Sequence, residues 1–301
     1  MTTPASGMAH VMGKLGLDGG PEGARVPEGI QLFDAHVHLF PERLFQAIWR
    51  WFDKNAWPIR YRLTAEQVIE FLLDHGVQRM TALVYAHKPG MAESLNTFVA
   101  ELGRAHSAVV PLGTVMPGEP DARRIVLHAL DDLGLRGLKL HCHVQRLAPD
   151  DPRLDEVYAA AQDARKPVLI HAGREPSTPA YGVDTRALTS AAQVESVLER
   201  FPRLKLVIPH LGADEIPEYL AMLGRHENLW LDTTMILSGY LPGALPEGTL
   251  ARHASRLLFG TDFPNIPYAW DRELTALLAA GLDAGAQRKI LWENAARLYG
   301  T

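Results

Sequence analysis

From Ile30 onward, short apolar runs alternate along the chain with longer stretches whose apolar residues recur every three or four positions. The short runs read as strands and the longer stretches as amphipathic helices. Eight strands are predicted, at 31–38, 77–85, 108–115, 136–141, 167–171, 204–210, 228–233 and 256–262. Several are almost entirely apolar, as in Val168-Leu169-Ile170 ahead of His171. A strand held between a barrel interior and a layer of helices needs that composition, because neither face meets water. Helices are predicted in the gaps, at 64–76, 91–105, 121–133, 154–164, 188–201, 213–224, 271–280 and 284–299. Thr64 and Gln67 have capping-box spacing at the start of the first, and Gly76 suits its end. Regular alternation of strand and helix predicts one parallel sheet, and eight repeats close it into a (β/α)8 TIM barrel.

Residues 1–29 break the pattern. They are rich in Gly, Pro, Ala and Met without a period, and they read as an irregular N-terminal arm ahead of a single barrel domain at 30–301. Within the barrel, the connection 39–63 is long and carries Phe40, Phe45, Trp49, Trp51, Phe52, Trp57 and Tyr61. An aromatic-rich insertion after strand 1 lies at the barrel mouth. Its rings either cover a substrate or form a small core of their own. A second long connection spans 235–253.

Composition works mainly by exclusion. A net charge of −5 and a pI near 6.2 provide no basic footprint for nucleic acid or for an anionic membrane. A small molecule is therefore the default partner, and a homo-oligomer such as a dimer stays open. No apolar run approaches the ~18 residues needed to cross a bilayer. The single cysteine, Cys142, permits no intrachain disulfide. With no secretory leader at the start, a reduced, cytoplasmic protein is expected.

Candidate chemistry gathers at the ends of the predicted strands. In Asp34-Ala35-His36-Val37-His38 the imidazoles are two residues apart, so a regular strand turns both to one face. Alone this is weak evidence, because the chain has 13 histidines and His141-Cys142-His143 repeats the spacing. Three further strands strengthen it. His171, His210 and Asp262 close apolar runs at strands five, six and eight. All fall at the C-terminal rim, where barrel enzymes build their sites. Five ligand-type residues on four strands point to a bound ion more than to isolated core residues. Lys139 ends strand four and shares its side with His141 and His143. Arg174 suits bidentate recognition of a carboxylate, or is an exposed loop arginine. Tyr85 and His87 are candidate wall residues, and Asp34 is expected to hold an imidazole or a loop amide. Cys142 should point out of the barrel and serve packing.

Taken in order, Asp34-Ala-His-Val-His38, Gly137-Leu-Lys-Leu-His141, Val168-Leu-Ile-His-Ala-Gly173, Ile208-Pro-His-Leu-Gly212, Phe259-Gly-Thr-Asp-Phe-Pro264 and Glu293-Asn-Ala-Ala-Arg-Leu298 resemble the amidohydrolase superfamily. More narrowly, the pattern is similar to the branch that includes aminocarboxymuconate-semialdehyde decarboxylase. It runs from about Gln31 to Tyr299 and leaves the arm uncovered. The resemblance implies ion ligands at His36, His38, His171 and Asp262, and a catalytic histidine at His210 that does not bind the ion. Asp262 would accept a proton from water at the ion, while His210 would orient that water or stabilise charge on the substrate. Zinc is the default metal for imidazoles and a carboxylate, with manganese, iron or cobalt as alternatives.

In some superfamily members a lysine like Lys139 is carboxylated and bridges two metals. His171 and His210 would then bind a second ion. Without that modification its ammonium meets a substrate carboxylate, with His141 and Arg174 also on the substrate side, or pairs with an inward acid. A single ion is the commoner arrangement in this branch. The resemblance implies a metal-dependent hydrolase of an ester, lactone or amide. The alternatives are a non-oxidative decarboxylase of an aromatic or enoic acid, and a metal-free, lactonase-like barrel.

Overall fold

Eight strands follow one another in the chain: β1 (Phe33–Asp34), β2 (Arg79–Ala82), β3 (Val109–Pro111), β4 (Leu138–His141), β5 (Val168–His171), β6 (Leu206–Ile208), β7 (Leu229–Asp232) and β8 (Leu257–Leu258). They belong to a computed structural model in which residues 23–243 and 245–301 are described. Most of the arm predicted at 1–29 thus lies outside the described residues. Its last residues run irregularly over the barrel, with the Val26 amide donating to the His75 carbonyl at 2.8 Å.

Neighbouring strands pair in parallel from β1 to β3 and from β4 to β8. A bridge between Gly113 and Leu138 joins β3 to β4. At the other seam the Ala35 amide donates to the Phe259 carbonyl, and the His38 amide to that of Phe263, each at 2.8 Å. Those contacts close the ring, so the barrel expected from the alternation is the fold observed. The ladders are shorter than the apolar runs, because the backbone leaves them near the rim to aim polar side chains.

The inner face is not a simple alternation. Phe33 and Ala35 pack with Leu112, Leu169, Val207 and Leu258 in a cluster drawn from seven strands and floored by Leu298 and Tyr299. Leu32, Val37 and Leu39 pack instead in the outer cluster with the helices. The chain bends at Ala35, and beyond it His36 and His38 face inward. Two successive residues, Ala35 and His36, thus point to the interior, as at a bulge. Asp34 does not share a side with the two imidazoles. It turns to the neighbouring strand end, where its carboxylate accepts from the Thr261 amide, the Thr261 hydroxyl and the His36 amide.

The insertion after β1 contains a helix, Glu42–Asn55, beyond the eight predicted. Its aromatics divide. Phe45 stacks on Trp49 and meets Phe40 edge-on, while Phe52 and Trp57 border the cavities at the mouth. The Thr64–Gln67 capping box forms as expected at the helix Ala65–Asp74.

Glu273, on the helix Arg272–Leu278, clamps the long connection after β7 by accepting from the amides of Leu237 and Ser238, both at 3.1 Å. Burial outweighs those donors and pushes its carboxyl from 4.5 up to about 8. Between those values the folded state holds a proton that the unfolded chain has released. Stability is therefore expected to fall as pH rises through this window, by up to about 1.4 kcal/mol per unit, and to level off above it. Glu273→Gln should lower stability outright, since an amide nitrogen cannot accept from a backbone amide, and should flatten the slope. Urea titrations at several pH values measure both, and an unchanged slope in the variant would refute the assignment.

Candidate metal centre

Three donors meet at the C-terminal rim. Asp262 Oδ1 lies 3.0 Å from His38 Nε2 and 3.7 Å from His36 Nε2. The three ligand atoms all fall within 4.8 Å of one another. Donors sharing one tetrahedral ion at about 2.1 Å stand about 3.4 Å apart, so the observed separations bracket what an ion requires. Two imidazoles and a carboxylate are a donor set suited to a catalytic divalent metal. The residues fit the group.

The protonation pattern agrees. Burial, helped by the nearby Lys139 charge, brings His36 down to about 4, and burial likewise lowers His38. Burial pushes Asp262 up, but the hydrogen bond to His38 and the surrounding imidazoles hold its carboxyl below the usual range. Neutral rings beside an ionised carboxylate are what a cation needs. Asp262 is not in a strand. It sits past β8 with φ 67, a left-handed conformation fixed by its amide donating to the His36 carbonyl at 2.9 Å.

Asp232, at the end of β7, orders this arrangement, and the sequence reading assigns it no role. Its Oδ2 accepts from His36 Nδ1 at 2.8 Å, which leaves Nε2 as the lone-pair nitrogen facing Asp262. Its Oδ1 accepts from the His210 amide at 2.9 Å and the Thr234 amide at 3.2 Å. His210 is left-handed too, with φ 58, and its Nδ1 meets the Thr234 carbonyl at 3.0 Å. The signal for Asp232 is in the sequence, since Leu229-Trp-Leu-Asp232 is an apolar run closed by an acid. Asp232→Asn should keep the acceptor for His210 but release the His36 tautomer. Metal affinity is expected to drop about 10–100-fold, read by chelator competition, and an unchanged affinity would leave Asp232 a purely structural role.

The other expected residues divide. His171 borders the same inner cavity, but its Nε2 meets the Glu175 carbonyl at 3.0 Å and its ring stacks on His141 at 4.2 Å. Its ligand atom groups with those of His141 and His143, not with the His36 trio. Lys139 and His141 line the cavity, and Lys139 Nζ donates to His36 Nε2 at 3.4 Å. Burial lowers that ammonium to about 8. Arg174 departs from expectation. Its Nη2 is 3.1 Å from Glu215 Oε1 and its Nε donates to the Thr189 carbonyl, so acids behind the loop capture it and it is absent from the cavity wall. Cys142 starts a short helix, Cys142–Gln145, and is buried, which pushes its thiol up and out of reactivity.

Two neighbouring spaces lie at the centre. The inner one, between the histidines, Lys139 and Asp262, has a volume of about 30 Å³. The outer one has about 530 Å³, and Phe52, Tyr85, His141 and Tyr181 border both. No helix among the described residues is long and apolar enough to cross a membrane.

Residues 33–301 match the family described as amidohydrolase. No match was found among curated proteins. Solved structures are similar in fold. An uncharacterised TIM-barrel protein from Bordetella bronchiseptica is 23% identical over 90% of this chain and 100% of that one, with a TM-score of 0.67. A 5-carboxyvanillate decarboxylase from Novosphingobium aromaticivorans, complexed with manganese and 4-hydroxy-3-methoxy-5-nitrobenzoic acid, is 15% identical over 93% and 99%, with a TM-score of 0.66. A protein assigned as a 2-pyrone-4,6-dicarboxylic acid hydrolase from Pseudomonas putida is 17% identical over 90% and 97%, with a TM-score of 0.60.

Proposed function

Because the chain belongs to the amidohydrolase family, we propose that it is a metal-dependent hydrolase of an ester, lactone or amide in a small, carboxylate-bearing molecule. The observation that carries this reading is the convergence of His36 Nε2, His38 Nε2 and Asp262 Oδ1 in a cavity with room for about one ion and one water. These three would hold one divalent ion, and His171, which borders the same space, would join them as the fourth ligand only on turning its ring away from the Glu175 carbonyl. Zinc suits the donors, and manganese, present in the related decarboxylase, is the first alternative. When bound, such an ion polarises a carbonyl and acidifies water.

The chain's own residues supply the rest. Asp262, held ionised, can take a proton from the attacking water and pass it to the leaving group. His210 Nδ1 donates to the Thr234 carbonyl, which leaves Nε2 with a lone pair that can accept a hydrogen bond from that water and orient it. Lys139 offers its ammonium to a substrate carboxylate without carboxylation of its own. Phe52 and Trp57 roof the inner cavity and limit bulk water.

Decarboxylation is the second reading, favoured by the likeness to the carboxyvanillate enzyme. There the same residues would hold an aromatic acid while a ring carbon gains a proton and carbon dioxide leaves. Metal analysis, followed by a panel of lactones, aryl esters and hydroxybenzoates, separates the readings. Hydrolysed product with about one equivalent of metal supports the proposal. Carbon dioxide without hydrolysis transfers the assignment to a decarboxylase, and full activity in protein stripped of metal sinks both.

A further inference from the structure

The helix Glu42–Asn55 carries one broad apolar face made of two adjacent stripes. Phe45 and Trp49 turn into the protein, stacked together against Phe40. Leu44, Ala47, Ile48, Trp51 and Phe52 form a second stripe, at the spacing of one helix face, and that stripe looks into the outer cavity of about 530 Å³. Leu44, Ile48 and Trp51 stay partly exposed there. Apolar surface left against water costs about 25 cal/mol per Å², so a stripe that borders a cavity beside the site suits a ligand. The inner cavity of about 30 Å³ holds no organic molecule. The body of any substrate reacting at the ion must therefore lie in the outer one.

Arg146 stands at the rim of that outer cavity. Its backbone is left-handed, φ 56 and ψ 47, at the end of the helix Cys142–Gln145. The preceding Gln145 is pinned on three sides. Its Nε2 donates to the carbonyls of Ala86 at 3.1 Å and Val115 at 2.8 Å, and its Oε1 accepts from the His141 amide at 3.0 Å. The Arg146 guanidinium rests over Gly182, where a Cβ would stand 3.2 Å from Nη2. Arg174 and Arg186 are each paired with acids, whereas no carboxylate among the described residues neutralises Arg146. An exposed arginine with no carboxylate partner among the described residues thus borders a wall that joins the apolar stripe to Tyr85, His141, His143 and Gln145.

We propose that the outer cavity binds the distal part of the substrate, an apolar body ending in an anionic group that pairs with Arg146. The inference rests on the reading of the inner site as the place where the reacting group is held, and it makes the substrate bipartite. The stripe on Glu42–Asn55 takes the apolar body, and the arginine takes the far anion bidentately.

Calorimetric titration of the metal-loaded, full-length protein with para-alkylbenzoates of one to six chain carbons tests this, beside the same series carrying a terminal carboxylate. Affinity should rise about two- to fourfold per methylene until the cavity is filled. The terminal carboxylate should add a further gain of about three- to tenfold. Arg146→Met should erase the carboxylate gain and keep the methylene one. Ala47→Trp, which fills the stripe from an exposed position, should erase the methylene gain. Metal content measured on each preparation keeps the two readings apart, because a lost ion weakens every benzoate alike while the gains compare ligands on one protein. Affinity independent of chain length, or a carboxylate gain that survives Arg146→Met, overturns the proposal. A dimer that dissociates in Ala47→Trp, with no chain-length effect, also overturns it and gives the stripe to a second copy of the chain.

Discussion

Asp262→Asn is expected to yield a folded protein nearly free of metal, with turnover at background. The substitution keeps the side chain's volume and removes its charge. Asn is among the side chains that best tolerate a left-handed backbone, so the φ of 67 at this position should survive. What disappears is the anionic donor 3.0 Å from His38 and 3.7 Å from His36. Two neutral imidazoles then face a cation without a counter-charge. Bound metal should fall from about one equivalent to below about a tenth under conditions that saturate the parent. Elemental analysis with a thermal melt reads both outcomes. A full equivalent retained would move the ion elsewhere, and the group of His141, His143 and His171 would be the first place to look.

His210→Ala should behave in the opposite way, keeping the metal while kcat falls about 10²–10⁴-fold. The ring lies beside the trio, 5.8 Å from the His36 ring, and its Nδ1 is committed to Thr234. Its backbone amide, held by Asp232, is unaffected by the change of side chain. Alanine is less comfortable than Asn at φ 58, so His210→Asn serves as the control for backbone effects. Metal content is the deciding measurement. Loss of an equivalent would make His210 a ligand and revive a two-ion centre with a modified Lys139.

Most of this centre is legible in the sequence because a barrel converts position along a strand into position in space. An apolar run closed by His or Asp places that residue at the rim, and His36, His38, His210 and Asp262 follow from this rule. It weakens where the chain leaves the ladder. Asp262 and His210 reach inward through left-handed residues beyond their strands, which hydrophobic periodicity does not encode. Arg174 shows a different failure. The sequence places it near the rim but says nothing of Asp214 and Glu215, which arrive from the next βα unit and claim its guanidinium. His171 is half legible, since strand parity brings it to the cavity while the Glu175 carbonyl, four residues on, decides how its ring is turned. The helix Glu42–Asn55 is itself legible, since Leu44, Phe45, Ile48, Trp49 and Phe52 recur at helical spacing opposite Arg43, Gln46, Arg50 and Lys54, but its crowd of aromatic residues reads first as a loop-like insertion.

The extra inward residue at Ala35 lets one short strand meet two incompatible demands. Its first half must offer Phe33 and Ala35 to the greasy floor of the barrel, and its second half must offer His36 and His38 to the mouth. In an uninterrupted strand those sets lie on opposite sides, so any frame that fills the floor would bury both rings among the surrounding helices. Deleting a single residue there would shift the frame and silence the centre with every donor still present in the chain.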